Sequence, residues 1–285
     1  MYDLSLMAVV TDAPDAERTI DIAGDIARRC QAHARVVSFV PVSVSVAAPT
    51  FAGAGLSAAM WQDFDAHQDA VDAKTEALVA DSARRLGLSP DASAVASLTH
   101  VPIRETCWST LMSELALVDF VVIAQSSVTG EGPWSGPLDE VLMMARTPVL
   151  VARSNETAAG RPAAIAWDGS LEAGRAIRAA VPILRDASWV TILQATANLD
   201  TRPKSAADPD RVTDYLSRRG IAVKDVVRVG GSKIGPALLS AAKGADAGLL
   251  VAGAYHHSRL REALFGGATQ SFLADGGGPH LLIAH

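Results

Sequence analysis

Two short segments in the second half of the chain place polar residues directly after apolar runs that have the pattern of buried strands. The first is Asp168-Gly169-Ser170, which follows AAIAW at 163–167 and precedes a helical pattern from Leu171. The second begins at Gly253, after LLVA, and extends to Gly266-Gly267-Ala268-Thr269. Glycine turns and helix N-termini present backbone N–H groups that attract anions. The two segments therefore predict an anion or phosphate site.

Asp168 has two interpretations. Its carboxylate could accept hydrogen bonds from a ribose hydroxyl or an adenine amino group, or it could cap the following helix, because Asp and Ser are favoured at N-cap positions. Asp12 is the corresponding residue of the first half, but Ala13-Pro14 follows it instead of Gly-Ser. The cap interpretation is favoured for Asp12.

The two motifs together resemble the universal stress protein family, in which a strand ending in Asp-Gly-Ser is combined with a glycine loop after a later strand. The second half of the chain matches this pattern nearly throughout. The resemblance implies that ATP or another adenine nucleotide binds in the crevice beyond the strand ends. The predicted cofactor-binding residues are Asp168, Gly169, Gly253, His256, Arg259, Gly266, Gly267 and Thr269.

The glycine loop departs from the family pattern Gly-x2-Gly-x9-Gly-Ser/Thr. Counted from Gly253, the second glycine slot holds His256 and the hydroxyl slot holds Gly267, with a hydroxyl returning at Thr269. An imidazole stands where the backbone must approach a polyphosphate, so we expect ATP to bind weakly or not at all. Either the site binds a smaller or differently placed anion, or it no longer binds a ligand. Arg259 suits bidentate phosphate contacts, or it is a solvated surface residue.

The sequence shows no nucleophile paired with a base, no GxSxG, no HxxxH and no Walker loop, which disfavours an enzyme. Adjacent His256 and His257 cannot both face one ion without an unusual turn, so no metal is predicted.

The main hypothesis is a tandem universal stress protein that acts as a non-catalytic, ligand-sensing regulatory module of the stress response. The alternatives are a protein-interaction scaffold without a small-molecule ligand and a weak ATP-binding or ATP-hydrolysing protein.

Length and charge narrow the class further. A chain of 285 residues can form two cores. The formal net charge is −6. Residues 1–155 contain 10 basic and 19 acidic residues, whereas residues 156–285 contain 15 basic and 12 acidic residues. This balance excludes the broad basic surface of nonspecific nucleic-acid binding and favours an anion in the second half. No leader pattern opens the chain, which predicts a cytoplasmic protein. Cys30 and Cys107 have neither disulfide-framework nor zinc-site spacing.

The two halves look like repeats of one α/β pattern, in which apolar strands alternate with amphipathic helices. Strands are predicted at 4–11, 34–42, 93–98, 120–124 and 148–152 in the first half and at 163–167, 189–195, 223–229, 247–252 and 280–284 in the second. Helices are predicted at 15–31, 61–86, 104–118 and 138–145 and at 171–184, 209–219, 235–243 and 267–274. Such alternation predicts doubly wound parallel sheets, and the resemblance adds five strands per sheet in the order 3-2-1-4-5, a Rossmann-like arrangement. We predict domains at 1–153 and 161–285, joined by the polar segment 153–162. The first-half loop at 125–137 lacks a glycine directly after its strand and contains Glu131. The first domain is therefore predicted not to bind a ligand.

Three features concern partners. The apolar strands 149–153 and 281–285 are predicted to pair antiparallel through their edges, which would give either a monomer with an internal pseudo-dimer or a homodimer. The uncharged run 36–62 is too broken by Pro, Gly and Ser to cross a membrane. It is either a flap over a ligand, a hydrophobic surface for a protein partner, or a segment packed on its own domain.

Overall fold

The computed structural model describes residues 4–39, 58–103, 108–129, 138, 141–196, 205–254 and 267–285. The contacts of the chain divide it into two compact units, Met1–Pro137 and Leu138–His285. Both units combine strands with helices in alternation, as the sequence pattern predicts. Because the division falls before the strand at 149–152, that strand groups with the second unit. The predicted domain boundary at 153–161 stays a prediction.

The first unit contains a parallel sheet. Its described strands are β1 Ser5–Val10, β2 His33–Ser38, β3 Ser97–His100 and β4 Phe120–Ala124, and its helices are α1 Ala16–Cys30, α2 Ala58–Leu86, α3 Trp108–Glu114 and the short α4 Gln125–Val128. Strand β1 pairs with β2 and β4, and β2 pairs with β3, which gives the order β3-β2-β1-β4. This is the order 3-2-1-4 expected for the first repeat.

The second unit completes the same pattern. Its strands are β5 Val149–Ala152, β6 Ala163–Ala166, β7 Val190–Ala195, β8 Val223–Val229, β9 Leu249–Gly253 and β10 His280–Ala284, and its helices are α5 Leu171–Leu184, α6 Pro209–Ser217, α7 Ile234–Gly244 and α8 Gly267–Ala274. Strands β8-β7-β6-β9-β10 are parallel neighbours in this order. The predicted order 3-2-1-4-5 is therefore confirmed for this repeat.

The predicted edge pairing is also confirmed. Strand β5 lies antiparallel to β10, with Val151 opposite Leu281 and Val149 opposite Ile283. Every residue of these two strands is buried. At the other end of the order, β8 is half-exposed and carries charged Lys224, Asp225 and Arg228 on exposed positions. Charges of this kind protect an edge strand from pairing with other chains.

Two predicted elements differ from the structure. The strand predicted at 93–98 begins only at Ser97, because the Asp91 carboxylate accepts a hydrogen bond from Ser93 N at 2.9 Å and holds the preceding residues in a turn. The helix predicted at 138–145 is a π-helical turn at Val141–Ala145 within the described residues. Short-range polar contacts of this kind are not visible in hydrophobic periodicity.

Arg153 also differs from the prediction. It belongs to the predicted polar junction 153–162, but it is only 5% exposed. Its guanidinium donates hydrogen bonds to the carbonyl oxygens of Phe272 and, at 3.2 Å, of Pro279. Burial lowers the pKa of Arg153 to about 10, with the charge of Asp275 opposing the shift. Arg153 therefore ties the end of β5 to the C-terminal turn of α8 and the start of β10.

Within the described ranges, no helix has both the length and the apolar character needed to cross a membrane. Cys30 forms no disulfide within the described part of the chain. Most of the run 36–62, namely 40–57, lies outside the described residues, so its three interpretations stay open.

Candidate functional site

The end of β6 presents Asp168, as the sequence pattern predicts. Asp168 Oδ1 accepts a hydrogen bond from Ser170 N at 2.9 Å, which turns the chain between the strand and α5. Gly169 has a φ of +80°, and a Cβ on it would lie 2.6 Å from the carbonyl oxygen of Ala206. Glycine is required there both by the left-handed backbone and by the close approach of the segment at Ala206.

The cap of α5 is Ser170, whose Oγ accepts a hydrogen bond from Ala173 N at 3.0 Å. Asp168 therefore does not cap α5, because the N-cap residue is Ser170. The Asp168 carboxylate lines a cavity beyond the strand ends instead. Its position suits an acceptor for ligand hydroxyl or amino groups.

Gly253, at the end of β9, has a packing role. A Cβ on Gly253 would lie 2.6 Å from Ala173 N and 3.0 Å from the carbonyl carbon of Glu172. The glycine therefore lets β9 approach the first turn of α5. It also lines the cavity.

Helix α8 brings two more predicted residues to the same place. Gly267 begins the helix, and a Cβ built on it meets no atom of the described residues within 4 Å. Thr269, in the first turn, is 3% exposed, and its hydroxyl forms no hydrogen bond within the described part of the chain. The predicted position of Thr269 in the first helical turn is confirmed.

The cavity at the carboxyl ends of the second unit's strands has a volume of about 460 Å³. This lies within the range of small-molecule sites. Its polar lining residues are Asp168, Ser170, Ser232, Lys233, Thr269 and Ser271, and its apolar surface includes Trp167, Leu193, Ile234, Leu238 and Phe272. The structure thus brings Asp168, Gly253, Gly267 and Thr269 together, as expected.

Sequence reasoning missed Ser232 and Lys233. They follow Gly230-Gly231 after β8 and precede α7, and Gly231 has a φ of +117°. The signal was the same strand–glycine–helix order that identified the other two segments. Parallel strands deliver all three segments to one edge of the sheet.

Three predicted site residues, His256, Arg259 and Gly266, lie outside the described residues, as does His257. Their roles stay predictions. Among the residues that are described, no group of three or more His, Cys, Asp or Glu side chains could hold a metal ion.

The first unit differs at both corresponding positions. Asp12, after β1, is about half exposed and pairs with Lys74 at 3.2 Å on the surface. Asp15, at the N-cap of α1, is buried, and its carboxylate accepts hydrogen bonds from Ser126 N at 3.2 Å and Ser126 Oγ at 2.6 Å. Ser126 lies in α4, directly after β4. In the first unit, the N–H and hydroxyl donors of Ser126 are therefore hydrogen-bonded to the protein's own carboxylate.

The first unit also contains a buried polar cluster that the sequence did not reveal, formed by Ser38, Gln68, Asp72 and His100. Ser38 Oγ donates a hydrogen bond to Asp72 Oδ1 and contacts His100 Nε2 at 2.9 Å. Gln68 Nε2 donates to Asp72 Oδ1 at 3.0 Å. The cluster connects α2 to the ends of β2 and β3. Burial lowers the pKa of His100, although the charges of Asp72 and Glu76 oppose the shift.

Comparisons with solved structures identify the architecture. A universal stress protein from Archaeoglobus fulgidus aligns over 98% of this chain and 97% of its own, at 14% identity and a TM-score of 0.65. A universal stress protein from Pseudomonas aeruginosa aligns over 99% and 93%, at 15% identity and a TM-score of 0.57. Neither a family profile nor a curated protein matches the sequence. The chain has the fold of the universal stress proteins over nearly its whole length.

Proposed function

We propose that the protein is a non-catalytic, ligand-sensing module of the universal stress protein type. Its ligand is a small adenine nucleotide or a related anion, bound in the cavity of the second unit. The observation that carries the proposal is this cavity of about 460 Å³ at the carboxyl ends of parallel strands, with Asp168 and Thr269 on its walls. Open α/β sheets bind ligands at this edge.

The lining of the cavity supports a ligand with an apolar or aromatic body. Leu193, Leu238 and Phe272 provide apolar surface, while Asp168 offers a carboxylate acceptor and Thr269 a hydroxyl. A nucleoside has this division of properties, because its base is planar and its ribose carries hydroxyl groups. Mostly apolar pockets with a few placed polar groups are typical of small-molecule sites.

The first unit supports the same proposal by contrast. Its turn after β4 is engaged by Asp15, whose negative charge would repel a phosphate brought to Ser126. The residue that corresponds to Asp168, Asp12, is a surface partner of Lys74. A ligand is therefore proposed for the second unit alone, and the first unit is proposed to have a structural role.

The non-catalytic part of the proposal rests on the cluster of Ser38, Asp72 and His100. These residue types could form a hydrolytic triad, but a triad requires the histidine to lie between the serine and the carboxylate. Here Ser38 donates directly to Asp72 and is 1% exposed. The hydroxyl is held as a structural donor and is not poised as a nucleophile.

The test is to identify what the purified protein carries and what it binds. Protein purified without added nucleotide is denatured, and the released small molecules are identified by mass spectrometry. AMP, ADP and ATP are then titrated by calorimetry, with ATP expected to bind most weakly. A protein that releases no nucleotide and binds none of the three would contradict the proposal and favour the interaction scaffold. Hydrolysis of ATP by a pure preparation would favour the third alternative.

A further inference from the structure

The β8–α7 connection forms a wall of the cavity that the glycine-loop pattern does not include. Ser232 and Lys233 both line the cavity. Lys233 is the N-cap residue of α7, and its side chain makes no capping hydrogen bond. Nor does Lys233 form an ion pair within the described part of the chain. A cation and the first turn of an 11-residue helix are thus placed together at one corner of the cavity.

Close packing of α7 against α8 brings that corner next to Thr269. A Cβ on Gly235 would lie 2.6 Å from Ser271 Cβ and 2.9 Å from Ala268 Cα. Glycine at position 235 therefore allows the first turn of α7 to contact α8. The early turns of the two helices meet beside the cavity.

Thr269 is the independent sign of a ligand at this corner. The residue is 97% buried, lines the cavity and makes no side-chain hydrogen bond within the described residues. A hydroxyl on a cavity wall without a protein partner is open to a ligand or a water molecule. Lining the same cavity as Lys233, the Thr269 hydroxyl has the chemistry expected of a donor to an anionic ligand group.

The charges on the cavity walls have opposite signs at its two ends. Asp168 follows β6, whereas Lys233 lies in the connection between β8 and α7. The ligand's hydroxyl or amino groups suit Asp168, and its acidic group suits Lys233. Lys233 is the only lysine or arginine among the described lining residues.

We propose that Lys233, with Ser232 and Thr269, binds the acidic group of a ligand of the nucleoside monophosphate class. The phosphate then lies at the start of α7, away from the position that a glycine loop after β9 would give it. Lys233 thereby favours a nucleoside monophosphate over the uncharged nucleoside. This inference rests on the proposed function, because it assumes that a nucleotide binds in this cavity.

The experiment compares AMP with adenosine by calorimetry, using the full chain and its variants. Lys233→Gln removes the charge and keeps most of the side chain, and Thr269→Val removes the hydroxyl at nearly constant volume. Lys224→Gln is the matched control, since Lys224 lies on β8 and packs over the Trp189 ring at 4.2 Å, outside the cavity lining. Thermal melting of each variant checks that the fold is retained.

We expect Lys233→Gln to weaken AMP binding by about tenfold to a hundredfold, the equivalent of one hydrogen bond to a charged group. Adenosine affinity should be unchanged, because adenosine has no phosphate. Thr269→Val should weaken AMP binding several-fold, and Lys224→Gln should change neither ligand. If AMP binds but Lys233→Gln leaves its affinity unchanged, or weakens adenosine equally, the inference is wrong and the proposed function stands. If the unmodified chain binds neither ligand, both fail.

Discussion

The carboxylate of Asp15 accepts hydrogen bonds from both the backbone N–H and the hydroxyl of Ser126. Ser126 follows β4, the strand that corresponds to β9 in the second unit. The first unit thus places its own carboxylate where a phosphate-binding turn would need an anion. In the second unit the residue that caps the equivalent helix is Ser170, whose hydroxyl accepts a hydrogen bond from Ala173 N in the first turn of α5. The helix cap is therefore one of the positions at which the two units differ.

Replacement of Asp15 by Ala should destabilise the first unit. The substitution removes the carboxylate that accepts hydrogen bonds from the half-buried N–H and hydroxyl of Ser126, and the loss of these two bonds should cost about 1–3 kcal/mol. Urea unfolding of the variant measures the loss. Asp12→Ala is the control, because its ion pair with Lys74 is on the surface and should contribute less than about 1 kcal/mol. Equal stability of the two variants would show that the contact of Asp15 with Ser126 is not structural.

Gly169 and Gly220 form a matched pair of left-handed glycines, with φ of +80° and +75°. Gly220→Ala should cost about 1–2 kcal/mol from the backbone alone, since a Cβ there meets nothing within 4 Å. Gly169→Ala adds the 2.6 Å overlap with the Ala206 oxygen and should cost roughly 1–3 kcal/mol more. Thermal or urea unfolding gives the difference. No excess for Gly169 would contradict the close packing of the segment at Ala206 on this turn.

Substitutions at Gly253 and Gly267 should distinguish a glycine needed for packing from a glycine needed for ligand binding. Gly253→Ala should destabilise the second unit by about 1–3 kcal/mol, because its Cβ would overlap Ala173 N. Gly267→Ala should change stability by less than about 1 kcal/mol, since a Cβ there would meet no atom of the described residues within 4 Å. Gly267→Val should then weaken AMP binding without unfolding the protein. Comparable destabilisation by both alanine variants would refute this assignment.

Stability should fall with decreasing pH because of His100. Its folded-state pKa is below 6.5, so the unfolded chain binds the proton more tightly than the folded chain. The stability contribution is present above pH 6.5 and is lost as the pH falls through the folded-state pKa. Urea unfolding of the wild type and of His100→Gln, from about pH 8 to about pH 5, measures the contribution. The variant should lose less stability over this range, and parallel curves would contradict the expectation.

The fold could be predicted because its strands are apolar throughout and its helices are periodic. Helices α5 and α8 and strands β4, β8 and β10 have the predicted bounds. Buried parallel strands produce continuous apolar runs, so the strands could be located along the chain. Their order in the sheet came from the resemblance to the universal stress protein family. The start of β3 could not be predicted this way, because a single side-chain contact at Asp91 sets it.

The candidate site could be predicted only where glycine marks it. Asp168, Gly253, Gly267 and Thr269 were found because each lies in a strand–glycine–helix segment. Lys233 carries the same kind of signal but has no counterpart in the recognised motif. Asp15 and Arg153 could not be recognised, because their roles depend on partners more than 100 residues away in sequence. Such contacts leave no local pattern.

The central claim is that a nucleotide binds in the second unit and not in the first. The most direct measurement is calorimetric titration of AMP into Asp168→Asn and Asp12→Asn, each compared with the unmodified chain. Both substitutions remove one negative charge after the first strand of a repeat and keep the side-chain size. We predict a single class of sites in the unmodified chain, loss of at least about tenfold in affinity for Asp168→Asn, and no change for Asp12→Asn. Unchanged binding by Asp168→Asn, or loss of binding by Asp12→Asn, would contradict the claim.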